Sequence, residues 1–497
     1  MRRQLAALDL GSNSFHLLVV SEQDDHIQVV DKYREMVRLA AGLRNDGYLD
    51  EETEFRALNC LERLGERLRG LARDNVRIVG TSALRQAKNS AAFIQRAERI
   101  LGHDIEIIGG REEARLIYLG VSHSLEDSAD RRLVVDIGGG STELILGRHF
   151  DPEEMESLHM GCVAMSGAYF PDGRIGRKAF ELAINRARQE LEPVMHQFRR
   201  PNWETAIGAS GTILAIESIL SADGGETGVI TRAGLERLVG QLSDARHLSE
   251  VPLPQLSAER HPVFCGGLAI LAAVFAELDV EFMHASSGAL REGLIYDLLG
   301  RVHHTDIREA TVVNVRRRYH VDIAHANRVQ SLVMSLHDQL AEQQGPADAD
   351  ADADAKSILR WAADLHEIGM DISHSQYHKH GGYLLLNMDM PGFSRRDQAR
   401  LATLVRAHRR KFPMPLFVGP DGNQLILPAV LLRLAVLLCR SREPQSLPPM
   451  QLLPGSGDLT LQIPAAWLNA HPLTRLDLVQ EAAFLSAIPF TLVVEET

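Results

Sequence analysis

Apolar residues along this chain follow two rhythms. Up to about residue 300, short apolar runs alternate with helical spacing; beyond about 306 only the helical spacing continues. The first run, Leu5-Ala6-Ala7-Leu8, ends in Asp9, passes through Gly11-Ser12-Asn13-Ser14 and returns as Phe15-His16-Leu17-Leu18-Val19-Val20. That is the grammar of strand, tight turn, strand. A second two-strand pattern covers about 26–39 and ends in Met36-Val37-Arg38-Leu39. Phe55, Leu58, Leu61, Leu64 and Leu68 place a helix over 51–73. Strands at 76–80 and 105–108 each lead into a helix, the second through Gly109-Gly110. The plan then repeats. A hairpin spans 133–146, followed by a strand at 155–160, a helix at 176–198 and a strand at 205–208 that opens a helix near Thr212. A helix at 261–276, a strand at 280–285 and a last helix opened by Ser286-Ser287-Gly288 complete it. Two α/β lobes, 1–125 and 126–300, each beginning with an Asp-x-Gly hairpin, predict a duplicated fold with a cleft between its lobes, and clefts of that kind are preferred ligand sites.

The second half is predicted to be helical near 308–319, 323–343, 356–370, 377–388, 395–409 and 426–440, giving an all-α domain over 301–445. Residues 446–497 read as a small α+β unit, with strands at 459–463 and 491–494 around a helix at 474–485. The alternating Asp-Ala run at 346–355 cannot bury a face and reads as a mobile solvated loop.

At 497 residues the chain exceeds one core, and length alone suggests about three domains. The four cysteines (Cys60, Cys162, Cys265, Cys439) are far apart, which argues against a disulfide framework or a cysteine zinc site and suits a reducing, cytoplasmic setting. The N-terminus has no signal-peptide core and no apolar run reaches the ~18 residues of a membrane span, so no transmembrane segment is expected; peripheral membrane association stays open. A formal net charge of −13 argues against a nucleic-acid partner, so a polyanion must be met by local cations or metal.

The candidate chemistry sits in the loops. Three successive glycines, Gly138, Gly139 and Gly140, leave backbone N–H groups open to an anion, with Ser141 beside them. Asp136 and Glu143, at the two lips, would repel phosphate unless a divalent cation stood between; hard oxygen ligands suit Mg²⁺. A lone triple glycine would be an ordinary hairpin, but the first hairpin repeats the pattern with Asp9, Ser12, Asn13 and Ser14. Ser210-Gly211-Thr212, opening a helix, adds a third anion site. Arg38, Arg85 and Glu113 follow strand ends, where open α/β sheets place their chemistry; Arg85 could bind an anion, and Glu113 could be a base or merely complement its helix dipole.

The helical half is rich in histidine (His325, His366, His374, His378, His380, His408). Leu365-His366-Glu367-Ile368-Gly369 resembles the core of the HD phosphohydrolase motif, with Glu367 where that motif has Asp. The extra methylene would misplace a metal ligand, so a scaffold that kept the helices and lost the metal is expected. His378, Lys379, His380 and Arg409, Arg410, Lys411 are basic islands in an acidic chain. They read as solvated faces or as guides for a long polyanion.

LDLGSNSFHL (8–17), GTSALR (80–85), GGREEARLIY (109–118), VVDIGGGSTEL (134–144), GASGT (208–212), SGALREGLI (287–295) and WAADLHEIG (361–369) together resemble the exopolyphosphatase and guanosine pentaphosphate phosphohydrolase family over nearly the whole chain. The long helical part is similar to that of the longer bacterial exopolyphosphatases. The resemblance implies duplicated actin-like, acetate-kinase-type (RNase H-like) lobes, an HD-like helical domain that does not catalyse, a Mg²⁺ requirement and a homodimer. It assigns Glu113 as the residue that activates water, Asp136 and Glu143 as metal ligands, and Asp9 with Ser12, Asn13 and Ser14 as facing metal or phosphate. Gly138, Gly139, Gly140, Ser141, Ser210, Gly211 and Thr212 would cradle phosphate, and Arg85 would neutralise its charge. The expected activity is stepwise hydrolysis of terminal phosphate from inorganic polyphosphate. The alternative is hydrolysis of guanosine pentaphosphate (pppGpp) to the tetraphosphate. An ATP-dependent kinase of the same fold and a non-enzymatic phosphate-chain sensor are more distant.

Overall fold

In the computed structural model, the described residues are 3–497 except 24–25, 45, 126–129, 303–305, 345–348, 419–420, 443–446, 456–457, 487 and 490. They form two compact units, Met1–Asp306 and Ile307–Thr497.

The first unit holds both α/β lobes. Lobe I runs β1 (Arg3–Leu10), β2 (Phe15–Gln23), β3 (His26–Glu35), α1 (Glu51–Leu68), β4 (Val76–Gly80), α2 (Ser82–Gln86), α3 (Ser90–Leu101), β5 (Glu106–Ile107) and α4 (Gly110–Ser122). Lobe II runs β6 (Arg132–Ile137), β7 (Thr142–Arg148), β8 (Asp151–Leu158), α5 (Cys162–Tyr169), α6 (Arg177–Leu191), α7 (Met195–Phe198), β9 (Thr205–Ala209), α8 (Ser210–Ala222), β10 (Val229–Thr231), α9 (Arg232–Asp244), α10 (His261–Glu277), β11 (Phe282–Ala285) and α11 (Leu290–Val302). The sheets are ordered β3-β2-β1-β4-β5 and β10-β11-β9-β6-β7-β8. In each, the opening strand pairs antiparallel with the next and parallel with a later one, β4 in lobe I and β9 in lobe II. The two hairpins share one geometry. Leu10 faces Phe15 and Ile137 faces Thr142, each pair closed by a four-residue loop, so Asp9 and Asp136 hold the same place beside their loops.

Each sheet has its own apolar core, and a third cluster joins them through α4, β6 and α11. The helices α4 and α11 approach closely because a Cβ on Gly293 would overlap the Leu116 carbonyl. Beside that seam lies a buried ionic network. Arg77 of β4 pairs with Glu106 (3.1 Å) and Asp297, and Arg115 of α4 pairs with Glu112 (2.8 Å) and Asp297 of α11.

Several expectations need correction. The pattern over 26–39 resolves as one strand, β3; Arg38 then turns left-handed (φ 58°) and Leu39 opens a short 3₁₀ turn, because the backbone leaves the sheet to brace the first loop. Helices α5 and α9 were not expected. The stretch read as one helix over 176–198 breaks between α6 and α7.

The second unit comprises α12 (Ile307–Arg318), α13 (Ile323–Gln344), α14 (Ala349–Leu365), α15 (Tyr377–Asn387), α16 (Arg395–Ala407), α17 (Gly422–Leu438), β12 (Gln451–Pro454), β13 (Asp458–Ile463), α18 (Ala465–Ala470), α19 (Pro472–Phe484) and β14 (Thr491–Glu496). Residues 346–348 of the Asp-Ala run lie outside the described residues. From Ala349 the run is helix, not loop: alanine has the highest helix propensity, and Asp354 pairs with Arg400. The tail strands, ordered β12-β13-β14, share one apolar core with the helices, and buried Arg433 of α17 binds Glu481 of α19 (2.9 Å).

Candidate active site

The two hairpin loops meet at a cavity of about 300 Å³ in the first unit. Their approach explains the glycines: a Cβ on Gly140 would come 2.8 Å from Ser82 Oγ and 3.1 Å from Ser12 Oγ. The first loop is braced from behind, since Arg38 N donates to Asn13 O and Ala40 N to Ser12 O, both 2.8 Å. Ser12 Oγ accepts from Ala83 N (3.1 Å). The triple-glycine loop is held by its own turn, Gly138 N to Ser141 O (2.9 Å), and by the first amides of α5, with Cys162 N donating to Gly138 O (2.9 Å). The third loop contributes Ser210, Gly211 and Thr212 at the N-terminus of α8, where the helix dipole favours an anion.

Of the residues expected from sequence, Asp9, Ser12, Asn13, Ser14, Glu113, Asp136, Gly138, Gly139, Gly140, Ser141, Ser210, Gly211 and Thr212 all line this cavity. Arg85 and Glu143 stand behind it. Arg85 donates to Ile108 O (2.7 Å) and to Glu113 Oε2 (3.3 Å), so one face of its guanidinium is held against Glu113. Glu143 faces Asp136 across the ladder and accepts from Ser157 Oγ (2.8 Å).

Four carboxylates therefore converge with little to neutralise them. Burial, then Glu113, push Asp9 up to about 8 against the pull of Arg291. Burial and Glu113 push Asp136 up to about 7. Glu143 is raised well above the usual carboxylate range by burial, Glu113 and Asp136, and Glu113 is raised by burial against Arg85. Asp9 Oδ1 is buried with no protein partner. A hard-oxygen set of this kind, with an orphaned carboxylate oxygen and raised acids, fits a divalent cation.

The sequence reading missed the cationic wall. Arg34, Arg260 and Arg291 line the cavity with His16. A Cβ on Gly211 would overlap the Arg260 guanidinium, so that glycine admits the arginine as well as opening the loop. Burial and Arg291 hold His16 down to about 3, so the ring is neutral. Arg291 Nη1 can only donate to His16 Nδ1 (3.1 Å), which leaves Nε2–H to donate to Ser14 Oγ (2.7 Å) and frees the Ser14 hydroxyl hydrogen for the cavity. The motif SGALREGLI already contained Arg291, but nothing in its spacing says which arginine reaches the cavity.

In the second unit the basic islands divide. Lys379, Arg410 and Lys411 are exposed, while Arg409 packs over the Tyr377 ring (4.5 Å) and His380 is half-buried. His378 is buried beside Tyr377 and His408 and adds nothing to a basic surface.

Phosphate loops facing each other across two duplicated lobes, with a buried glutamate and acids for a cation, define an actin-like ATPase-type phosphoanhydride hydrolase. The chain belongs to the Ppx/GppA phosphatase family: the model of that family matches residues 18–302, and that of its domain III matches 307–482. It is 39% identical to a guanosine-5'-triphosphate,3'-diphosphate pyrophosphatase of Photobacterium profundum over 99% of this chain and 98% of that protein. It is 41% identical to one of Vibrio parahaemolyticus over 96% and 95% of the two chains. Among solved structures it is similar in fold to an exopolyphosphatase of Cytophaga hutchinsonii (TM-score 0.55, 23% identity, 60% of this chain, 98% of that one). It is likewise similar to a Ppx/GppA family member of Aquifex aeolicus (TM-score 0.51, 24% identity, 61% and 99%).

These relatives overturn the expectation of an exopolyphosphatase. The long helical half does not discriminate, because pyrophosphatases of the other specificity match across it too. The phosphate loops do not discriminate either, since both substrates end in a phosphoanhydride. Among the described residues no helix is long and apolar enough to cross a membrane.

Proposed function

We propose that the chain removes the terminal 5′-phosphate of guanosine 5′-triphosphate 3′-diphosphate, releasing orthophosphate and the tetraphosphate. The observation that supports this most directly is about 40% identity to guanosine-5'-triphosphate,3'-diphosphate pyrophosphatases over nearly the whole length. In this reading the oxygen of a water bonds to the terminal phosphorus as the bond from that phosphorus to the bridging oxygen breaks. Glu113 orients the water and takes its proton; burial raises its carboxyl toward neutrality, which suits a general base. Arg85, anchored on Ile108 O, keeps the carboxylate aimed. Backbone N–H groups of the glycine loop and of α8, with the Ser14 and Ser141 hydroxyls, position the phosphates, which is most of what phosphoryl transfer requires of a protein. Asp9 and Asp136 would hold Mg²⁺, with Glu143 supporting Asp136, and the bound ion would supply charge neutralisation on the phosphate oxygens.

Phosphate release would be measured with Mg²⁺ from the guanosine pentaphosphate and from long-chain polyphosphate in parallel. The nucleotide should be the faster substrate, and Glu113→Ala should lower its turnover roughly 10²–10⁴-fold with little change in KM. Faster release from polyphosphate would overturn the substrate, and turnover that survives Glu113→Ala would overturn the base.

A further inference from the structure

One residue of β2 joins the cationic wall to the first phosphate loop. In the sheet register His16 stands opposite Asp9 of β1 and Arg34 of β3, so these three side chains share one face of the lobe I sheet. Ser14, two positions earlier, closes the loop that precedes β2, and all four residues line the cavity. Arg291, the second residue of α11, reaches the same ring.

The imidazole passes the polarity of the arginine on to the serine. A guanidinium has donors only, so the 3.1 Å contact from Arg291 Nη1 occupies the lone pair of His16 Nδ1. Burial, then Arg291, Arg34, Arg260 and Lys32, keep the ring neutral, and its single hydrogen therefore sits on Nε2. Nε2 lies 2.7 Å from Ser14 Oγ and donates to it. The Ser14 hydroxyl cannot give its own hydrogen to that edge of the ring, and among the described residues no other group pairs with it. Ser14 is buried against the cavity, so the hydrogen meets whatever the cavity holds. The opposite tautomer would set Nδ1–H against the guanidinium hydrogens. It would also turn the Ser14 hydrogen toward Nε2, leaving only lone pairs to face phosphate. An ionised phosphate oxygen accepts and has no hydrogen to offer, which is the complement of a hydroxyl locked as a donor.

We propose that His16 is a positioning residue: held by Arg291, it locks Ser14 as a hydrogen-bond donor to a phosphate oxygen of the substrate. Ser14 is thereby assigned to phosphate, and the cation is left to Asp9 and Asp136. The inference rests on the hydrolysis of a terminal phosphoanhydride proposed above, and holds for either substrate that ends in one.

Two measurements on the full-length chain test it. In the first, kcat/KM with Mg²⁺ is compared for wild type, Ser14→Ala, His16→Phe and the double variant, each checked for folding by circular dichroism. Guanosine pentaphosphate and long-chain polyphosphate are both used. Ser14→Ala should lower kcat/KM roughly ten- to a hundredfold, the weight of a hydrogen bond to a charged oxygen. His16→Phe keeps a ring and loses both nitrogens. It should lower kcat/KM about tenfold in the wild type and less than about twofold once Ser14 is Ala. Equal losses in the two backgrounds would overturn the relay, since His16 would then act without Ser14. In the second, ¹⁵N-histidine spectra near neutral pH, with the His16 signals identified by their loss in His16→Gln, should show a neutral ring protonated at Nε2. A hydrogen on Nδ1, or a doubly protonated ring, would overturn the relay whatever the activities. Faster turnover of polyphosphate with the coupling intact would overturn the substrate reading and support the relay.

Discussion

A neutral imidazole in a buried, cationic setting destabilises a fold as acid is added, and His378 is placed that way. Burial first, then Arg409, Lys379, Arg410 and Arg406, hold it down to about 4. In the unfolded chain its pKa is about 6.5, so between those values the unfolded state binds the extra proton and stability falls as pH falls. The contribution is on the order of 3 kcal/mol, fully present above about pH 6.5 and lost by about pH 4. His378→Gln should flatten the pH dependence of the urea midpoint across that window, and an unaltered slope would sink the assignment. The same residue shows what sequence could and could not supply. Its neighbours look like a basic island because formal charge is countable, whereas its burial depends on Tyr377 and His408, the second some thirty positions away. Asp9, Asp136 and the glycine loop were legible because each loop's chemistry is contiguous. Arg34, Arg260 and Arg291 were not, because three distant segments place them around one cavity.

At the scale of elements, the hairpins could be expected from alternation and turn residues, but the seam that fixes α4 against α11 could not. Asp297 is more than two hundred positions from Arg77 in sequence and bonds both Arg77 and Arg115. Periodicity marks α4 and α11 as helices without saying that they share a buried acid. All three members are buried, so the energetic weight lies in keeping the set complete: removing Asp297 leaves two buried guanidiniums with only Glu106 and Glu112 to balance them, at a cost of up to about 3–5 kcal/mol. Asp297→Ala should lower the unfolding free energy of the first unit by that amount in urea, monitored by circular dichroism. A loss under about 1 kcal/mol would mean that water or the remaining acids compensate. Because α4 carries Glu113 in its first turn, the same variant should lower turnover before it unfolds the chain.

At the scale of the whole molecule, a net charge of −13 repels the proposed substrate, which carries five phosphates, so attraction must be local. The local source is the arginine wall. Burial and neighbouring Arg34 push Arg260 below its ordinary value, the mark of two guanidiniums crowded together on one wall of the cavity. Glu259 reaches Arg34 only at 3.9 Å. Such a pair gains by binding phosphate oxygens, and it lies on the cavity wall apart from the Glu113–Arg85 pair that handles the water. Arg260→Gln should therefore raise KM for the guanosine pentaphosphate about tenfold with a smaller effect on kcat, the signature of lost uniform binding. Added salt should weaken binding in the wild type, since screening still acts on half-buried cation–phosphate contacts, and the dependence should be shallower in the variant. If instead kcat fell and KM held, Arg260 would belong to the transition state. The cationic wall would then serve the bond being broken rather than the capture of the polyanion.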